Sequence, residues 1–596
     1  MRRQYMWRSL AIGIFLAVLG LSIIIQIASF QNSEEADKIR GQGESYTGRF
    51  RTFYPKRGEI YDRKGHLLAG NKTAYEVGVD LQEKKRDAHT LALILSANLD
   101  VDYDQVYQDI LNPPENPTNP PKKLLYLVVK DNVPTEQVSI LKKIQTDMEK
   151  QVLATDAGNQ PSLVGLEFKP HLQRSYPEDA LASNVIGFVN LNQRGNYGIE
   201  QKYNDLLAGN PVTVWVPADP NHALDMPEVS NGTTLILTLN RELQVAVEQI
   251  LDQALYNTGA DAGTVIVMDP HTGEILAMTS SPRMNLNEFW NYQNIYQNAS
   301  EFNRAISMPY EPGSVVKILT MAAALDAGKV LPSTIFLDTG SILVGGVNIE
   351  NWDHQAWGPQ DMVGCIQHSL NVCLAWVASQ LGAQDFYGYM QRFGLGHITG
   401  IDLAGEAAGR LKVPGDTDWY PVDLATNSYG QGAAITPIQM MMAASAFAND
   451  GKMVTPRLLY AMIRKGQRYN APPQYAGTPI TAQTAHTLNE MLAISLENEA
   501  SAALVPGYRL AGKTGTAQIP TPYGQYDMGV TNTSFIGWGP VDDPRFMVYV
   551  WLEKPKSSIW APETTAPVFS QVVERTVILL GIPPDYVRLQ VAGQKD

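Results

Sequence analysis

Three short segments, far apart in the chain, carry residues that could act together in catalysis: Ser314-Val-Val-Lys317, Ser369-Leu-Asn371 and Lys513-Thr-Gly-Thr516. The first supplies a serine nucleophile and a lysine that can accept its proton. The second supplies a hydroxyl that can relay protons, and the third supplies a cation and hydroxyls that can hold a carboxylate. In this order the three segments predict acyl transfer through a covalent serine ester.

A helix is expected to begin at Ser314, because Pro312 and Gly313 interrupt the chain and the residues from Val315 to Leu325 are apolar and rich in alanine. Ser314 and Lys317 would then lie three residues apart on one helix face. The N–H groups at the helix N-terminus would face a developing oxyanion. Because a free lysine has a pKa of about 10.4, Lys317 must be desolvated or lie near another cation to act as a base.

Ser369 and Asn371 lie in an apolar stretch, from Met362 to Leu381, that is predicted to be helical. The two cysteines, Cys365 and Cys373, lie in the same stretch. On a continuous helix their Cα atoms would be about 12 Å apart, which is too far for a disulfide. We therefore expect two small buried thiols that flank Ser369.

The third segment, Lys513-Thr-Gly-Thr516, is predicted to lie on a strand that starts near Tyr508. Its small residues would let a substrate backbone approach closely. Residues 507–514 also match the GxxxxGKT pattern of a phosphate-binding loop, which requires a helix directly after it. Gly515, Pro520 and Pro522 follow instead. Nucleotide binding is therefore not expected.

Strand-like segments flank the three catalytic segments on both sides. Ala262–Asp269 and Glu274–Met278 predict a hairpin, Ser534–Trp538 and Phe546–Leu552 predict further strands, and Ala566–Leu580 predicts a closing helix. Helical patterns fill the middle. This order predicts one α+β domain whose two ends share an antiparallel sheet.

The N-terminus predicts a membrane anchor. Residues 9–30 contain no charged side chain, and as a helix they would span about 33 Å, close to the roughly 30 Å of a hydrocarbon core. Arg2, Arg3 and Arg8 precede this segment, whereas acidic residues follow it. The positive-inside rule then leaves residues 1–8 in the cytoplasm and the rest outside. A cleaved signal peptide is the alternative, but its apolar region usually has only about 7–15 residues.

Composition excludes some classes of function. The chain has 596 residues and a net charge of −14, which argues against a nucleic-acid partner, since such proteins present a basic face. No HExxH motif occurs and no histidine pairs with the cysteines, so neither a metal nor another cofactor is expected. No pair of nucleophile and base is visible before residue 220. We therefore predict a non-catalytic module over residues 31–225 and a catalytic domain over residues 226–596.

Taken together, these segments behind a single membrane anchor resemble the class B penicillin-binding proteins over nearly the whole chain. Arg57-Gly-Glu-Ile-Tyr-Asp62-Arg63-Lys-Gly65 resembles the first block of their non-catalytic pedestal, and Gly198-Ile-Glu200 resembles the last. Ser428-Tyr-Gly-Gln-Gly432 with Thr436-Pro-Ile-Gln439 resembles the block before their third motif. The resemblance implies the transpeptidase fold, an antiparallel sheet with helices on both sides and a helical subdomain, preceded by an elongated mixed α/β pedestal.

The same resemblance implies a peptidoglycan D,D-transpeptidase that β-lactams acylate. Ser314 would attack the D-Ala–D-Ala bond and Lys317 would accept its proton. Ser369 would relay protons to the departing D-alanine, and Asn371 would orient the donor amide. Backbone N–H groups of Ser314 and Thr516 would form the oxyanion hole. The residues expected to bind the terminal carboxylate are Lys513, Thr514, Gly515 and Thr516.

Within the class, residues 310–317, 566–569 and 581–585 look more like the division enzymes than the elongation enzymes. The middle motif is SLN where related β-lactamases have SDN, and class B members vary at that position. The resemblance implies no glycosyltransferase activity, and it implies a separate SEDS-family glycan polymerase as a partner.

Three alternatives to a division transpeptidase stay open. One is an elongation transpeptidase of the same class. The second is a D,D-carboxypeptidase or β-lactamase, which would need a residue such as Glu406 to activate water; that residue is predicted to lie in a turn. The third is a silent scaffold or β-lactam sensor.

Overall fold

The computed structural model describes residues 2–31, 49–83, 86–116, 122–154, 161–216, 229–297, 301–520 and 526–592. The predicted domain boundary at residues 225 and 226 lies outside these ranges. Residues that lie close together in space form two compact units. The first comprises residues 1–56 and 209–232, and the second comprises residues 57–208 and 233–596.

The first unit contains the predicted membrane anchor. One helix, Arg2–Gln31, carries a stretch, Ala11–Ser29, that is long and apolar enough to cross a membrane. This agrees with the span predicted for residues 9–30. The unit also contains an antiparallel strand pair, Arg49–Phe53 with Val212–Val216.

The second unit contains the catalytic segments on an α+β scaffold. Its helices, in chain order, span Ala88–Leu99, Tyr103–Leu111, Thr135–Ala154, Ser183–Ile186, Gly198–Lys202, Asn204–Ala208, Arg241–Thr258, Tyr292–Ile295, Arg304–Ser307, Lys317–Asp326, Met362–Gln367, Asn371–Arg392, Pro421–Ser428, Pro437–Ser445, Ala482–Glu499, Ala561–Thr564, Ala566–Leu579 and Asp585–Ala592. Short 3-10 helices span Leu286–Asn291, Gly313–Val316 and Ser501–Ala503. Two-stranded pairs join Glu115–Asn116 to Lys122–Lys123, Phe188–Val189 to Gly195–Asn196, Phe336–Asp338 to Gly358–Gln360, Ser341–Val344 to Val347–Glu350, and Met453–Val454 to Tyr475–Gly477.

A five-stranded antiparallel sheet forms the centre of the catalytic part. Its strands lie in the order Ile275–Ser280, Ala262–Met268, Phe546–Glu553, Tyr526–Gly539 and Ala511–Pro520. The predicted hairpin and the predicted C-terminal strands therefore pair in one sheet, as expected for a domain whose two ends meet.

Helices cover both faces of this sheet, which explains why the strands Ala262–Met268 and Phe546–Glu553 are buried along almost their whole length. Alternate side chains of a strand point to opposite faces. Val265 and Val548 pack against the helices Arg241–Thr258 and Ala566–Leu579. Ile266 belongs to the other core, which includes the helices in the middle of the chain.

A second, seven-stranded sheet joins the segments before residue 220 to the catalytic part. Its strands lie in the order Gln467–Asn470, Leu459–Arg464, Thr234–Leu237, Ile60–Tyr61, Leu67–Asp80 and Tyr126–Pro134, and Leu166–Ser175 also pairs with Leu67–Asp80. Leu235 pairs in parallel with Ile60, and both side chains are fully buried. Strands from the two predicted domains thus cover each other's edges, which would otherwise expose unpaired N–H and C=O groups.

Candidate active site

Ser314 lies on the first turn of a helix, as its sequence surroundings predict. A 3-10 turn, Gly313–Val316, runs directly into the α-helix Lys317–Asp326. The turn packs against the loop that follows Ser428, where the Gly313 N–H donates to the Gly430 carbonyl at 3.0 Å. A Cβ atom on Gly430 would lie 2.0 Å from the Gly313 oxygen. The segment around Gly430 therefore supports the turn Gly313–Val316, which we call the nucleophile turn after the role predicted for Ser314.

Lys317 joins the first catalytic segment to the second. Its side chain is fully buried, and its Nζ donates to the Ser369 carbonyl at 2.6 Å, to Asn371 Oδ1 at 2.7 Å and to Ser369 Oγ at 3.2 Å. Burial and the nearby charge of Lys513 hold the pKa of Lys317 well below its usual range. The neutral amine, which is the form that could accept a proton, is therefore favoured at this position.

The chain around Ser369 is not one continuous helix, and this part of the prediction is wrong. The helix Met362–Gln367 ends at His368, Ser369 adopts a left-handed conformation with φ of 53°, and a new helix begins at Asn371. The interruption turns the Ser369 carbonyl and hydroxyl toward Lys317. A straight helix would direct its carbonyls along its own axis.

The same interruption overturns the prediction of two free thiols. Because the chain turns between the cysteines, the Cα atoms of Cys365 and Cys373 are 6.1 Å apart and the two residues form a disulfide. The bond brackets Ser369 and closes a short loop around the middle motif.

Replacing both Cys365 and Cys373 by alanine is expected to lower the free energy of unfolding by about 2–3 kcal/mol, because the cross-link restricts the unfolded chain. Denaturant unfolding of the full-length protein measures this loss. The single Cys365→Ala variant should lose nearly as much, since it also lacks the bond. Unfolding midpoints equal to wild type in both variants would contradict the prediction.

Lys513 lies on the edge strand Ala511–Pro520, which confirms the predicted strand and excludes a phosphate-binding loop there. Its Nζ lies 3.3 Å from Thr514 Oγ1. Burial lowers the pKa of Lys513 to about 8, although the charge of Glu499 opposes this shift. The strand lies directly against the nucleophile turn, because a Cβ on Gly515 would meet the Pro312 carbonyl at 2.8 Å.

Thr516, on the same strand, is linked to a part of the site that the sequence did not predict. Its Oγ1 accepts the Ala561 N–H at 3.2 Å, and its own hydroxyl proton can still be donated. The neighbouring Trp560 packs edge-on against Trp352, with ring centroids 5.2 Å apart. Trp352 in turn donates from Nε1 to the His368 carbonyl at 3.0 Å. This aromatic pair connects the strand that carries Thr516 to the turn that carries Ser369.

Asn371 forms hydrogen bonds to Lys317 and to a segment outside the three predicted motifs. Its Oδ1 accepts a hydrogen bond from Lys317 Nζ, and its Nδ2 donates to the Glu350 carbonyl at 3.1 Å. Motif spacing could not reveal Glu350 or the two tryptophans, since they contribute a backbone atom or exposed aromatic surface and belong to no recognisable pattern. Glu406, the candidate for activating water, lies directly after a bend, and its carboxylate accepts hydrogen bonds from Thr399 and Gly400.

Comparison with known proteins identifies two domains in the chain. The model of the penicillin-binding protein transpeptidase domain matches residues 263–574, and that of the penicillin-binding protein dimerisation domain matches residues 52–220. Stage V sporulation protein D of Bacillus subtilis is 31% identical over 92% of this chain and 82% of its own length. Peptidoglycan D,D-transpeptidase FtsI of Escherichia coli is 26% identical over 95% of this chain and 91% of its own length.

Solved structures give the same result. Penicillin-binding protein 3 from Mycobacterium tuberculosis, complexed with aztreonam, superposes with a TM-score of 0.67 and 26% identity. The match covers 90% of this chain and 98% of that one. By sequence, by domain content and by fold, the chain belongs to the class B penicillin-binding proteins and is a serine transpeptidase.

Proposed function

We propose that the chain cross-links peptidoglycan stem peptides through an acyl-enzyme on Ser314. The observation that carries this proposal is the buried Lys317, whose Nζ contacts both Ser369 and Asn371. A lysine without water around it and with a lowered pKa can take the serine proton near neutral pH.

In the first half-reaction, Ser314 Oγ attacks the carbonyl carbon of the D-Ala–D-Ala bond and passes its proton to the neutral Lys317 amine. Backbone N–H groups of Ser314 and Thr516 stabilise the oxyanion. The C–N bond then breaks, and a proton moves through Lys317 and the Ser369 hydroxyl to the amine of the departing D-alanine. The product is an ester between the donor peptide and Ser314.

In the second half-reaction, the amine of a neighbouring stem peptide attacks the ester carbonyl. Its proton passes to Lys317, the C–O bond breaks and Ser314 regains its proton. A β-lactam would acylate Ser314 by the same first step, but its amine stays attached to the acyl group. Relatives of known structure contain aztreonam or ampicillin, which supports this part of the proposal.

Lys513 and the hydroxyls of Thr514 and Thr516 would hold the terminal carboxylate of the donor, with Gly515 leaving room for its backbone. A cationic group and adjacent hydroxyls on one strand suit a carboxylate. The close packing of Gly515 against Pro312 supports this role, since it sets the strand beside the nucleophile.

The helix Arg2–Gln31 would anchor the protein, with residues 1–8 in the cytoplasm and the catalytic domain on the outer side. We assign the enzyme to division on the resemblance of residues 310–317, 566–569 and 581–585 to division transpeptidases. A SEDS-family glycan polymerase would supply the glycan strands, with the anchor and pedestal as contact surfaces. An elongation enzyme would use the same chemistry with a different partner.

Mass spectrometry of the protein after treatment with benzylpenicillin tests the nucleophile. The intact protein is expected to gain one penicilloyl group, located on the peptide that contains Ser314. Ser314→Ala should abolish the adduct, whereas Ser341→Ala, on an exposed hairpin, should keep it. An adduct that persists in Ser314→Ala would overturn the assignment.

Donor and acceptor stem peptides given to the same full-length protein separate cross-linking from hydrolysis. Formation of a peptide dimer with release of D-alanine is the expected result. Release of D-alanine without any dimer would instead favour a carboxypeptidase.

A further inference from the structure

Glu311, three residues before Ser314, binds two other segments with its side chain. Glu311 Oε1 accepts the Gly432 N–H at 3.0 Å. The Tyr526 hydroxyl donates to the same carboxylate, 3.1 Å from Oε2 and 3.3 Å from Oε1. One side chain thus joins the nucleophile turn to a loop and to a strand that lie far from it in sequence.

The loop around Gly432 supports the nucleophile turn through its backbone as well. The Gly313 N–H donates to Gly430, and Tyr310 exchanges two backbone hydrogen bonds with Ile435. The bond from Gly432 to Glu311 lies between these contacts in sequence. The backbone before Ser314 is therefore fixed by the loop on both sides of Glu311, and the carboxylate adds the only side-chain tie among these three contacts.

Tyr526 connects Glu311 to the substrate-binding strand. It begins the strand Tyr526–Gly539 and pairs with Pro520 at the end of the strand that carries Lys513. Holding the Tyr526 hydroxyl against Glu311 therefore holds this end of the hairpin beside the nucleophile turn. The hydrogen bond between Tyr526 and Glu311 lies at an exposed end of the hairpin, since Tyr526 is 37% exposed.

Burial destabilises the charged carboxylate of Glu311. Burial raises the pKa of Glu311, and the Gly432 and Tyr526 hydrogen bonds and the charge of Lys412 oppose that rise. Of the other acidic groups nearby, Asp423 is already paired with Lys412 at 2.6 Å. A partly buried carboxylate lowers stability unless its hydrogen bonds compensate. If this position served packing alone, an apolar residue would stabilise the fold at least as well.

We propose that Glu311 is a positioning residue for the transpeptidase reaction: it fixes the loop at Gly432 and the hairpin end at Tyr526 to the nucleophile turn, so that Ser314 and the carboxylate-binding strand keep one common geometry. The proposal rests on the acyl-enzyme chemistry of Ser314 given above. Glu311 itself exchanges no proton with the substrate.

The test measures the second-order rate constant for acylation by benzylpenicillin, per active site titrated at completion, in the full-length protein. Glu311→Ala is expected to lower this constant by about 10–100-fold, because small misplacements of reacting groups cost about that much. Glu311→Gln should recover most of the loss, since its amide oxygen can accept the same two hydrogen bonds. Glu497→Ala, which removes an exposed carboxylate paired with Arg509 at 3.0 Å, serves as the matched control.

A double-mutant cycle isolates the link to the hairpin. Tyr526→Phe alone should lower the rate constant by roughly 3–10-fold, and it should cause no further loss in the Glu311→Ala background. A per-site rate constant equal to wild type in Glu311→Ala, even with a lower melting temperature, would overturn the proposal and leave Glu311 a stabilising residue. Equal losses in Glu311→Gln and Glu311→Ala, or additive losses in the cycle, would overturn it too. Failure of the Ser314 assignment appears separately, as an adduct on another residue.

Discussion

Lys317→Met is expected to slow acylation by benzylpenicillin by about 10³-fold while the protein stays folded, since general-base catalysis contributes about 10²–10⁴-fold. The methionine side chain fills much of the buried space of Lys317 but cannot accept a proton. It also removes the desolvation cost of a buried amine. That gain offsets the loss of the hydrogen bonds to Ser369 and Asn371, so the loss should be mainly kinetic, with the melting temperature close to that of wild type. Stopped-flow acylation together with thermal unfolding checks both statements.

The pH dependence of wild type gives a second measurement on the same residue. Only the neutral amine can accept the proton of Ser314, so the acylation rate should rise with pH through the pKa of Lys317. Because burial and the Lys513 charge lower that pKa, the rise should be complete well below the pKa of about 10.4 of a free lysine. Above the Lys513 pKa of about 8, loss of its charge should weaken carboxylate binding, and the rate should fall.

The expected profile of wild type is thus bell-shaped, and Lys317→Met should lack its rising limb. A methionine variant that still acylates at the wild-type rate would mean that another group serves as the base. A wild-type rate that keeps rising up to pH 10 would mean that Lys317 stays charged at neutral pH.

The sequence predicted those parts of the site whose position depends on local patterns. Apolar strands bounded by turn residues gave the hairpin at residues 262–278 and the strand of Lys513. The apolar run after Gly313 gave the helix that begins at Ser314. Such elements follow from side-chain periodicity, and periodicity is visible in a single chain.

Features that depend on contacts between distant segments could not be predicted in this way. The apolar pattern from Met362 to Leu381 continues across Ser369, so nothing in it marks the left-handed residue that separates two helices. The disulfide was missed for the same reason, because a continuous helix keeps its cysteines apart. Glu311 gave no signal, since its two partners lie more than 100 residues away.

The largest stability effect is expected in the non-catalytic part, at Glu200. Its side chain is fully buried between Arg57 and Arg174. Oε2 lies 2.6 Å from Arg57 Nη2, and Oε1 lies 2.6 Å from Arg174 Nε. The three residues lie in separate segments of the sequence and come together only in the folded protein. One carboxylate thus compensates two buried guanidinium groups.

Glu200→Gln is expected to lower the free energy of unfolding by about 3–5 kcal/mol, because the variant leaves buried positive charge without a counter-ion. Thermal unfolding of the full-length protein should show a melting temperature lower by several degrees. Glu178→Gln is the matched control. Glu178 Oε1 also lies 2.6 Å from an arginine nitrogen, that of Arg241, but both side chains of that pair are about one-third exposed.

Each carboxylate has an oxygen 2.6 Å from an arginine nitrogen, but Glu200 is buried between two arginines. Glu178 is about one-third exposed and binds Arg241 alone, through both oxygens. Water screens the charges of the exposed pair, and its loss should cost less than about 1 kcal/mol. If Glu178→Gln destabilised the protein as much as Glu200→Gln, burial of the charges would not decide the effect. A large loss confined to Glu200→Gln would instead show that the first and last blocks of the pedestal, together with Arg174, are coupled by a buried charge. That coupling would give Arg57, Arg174 and Glu200 a shared role in stability that is separate from any role in catalysis.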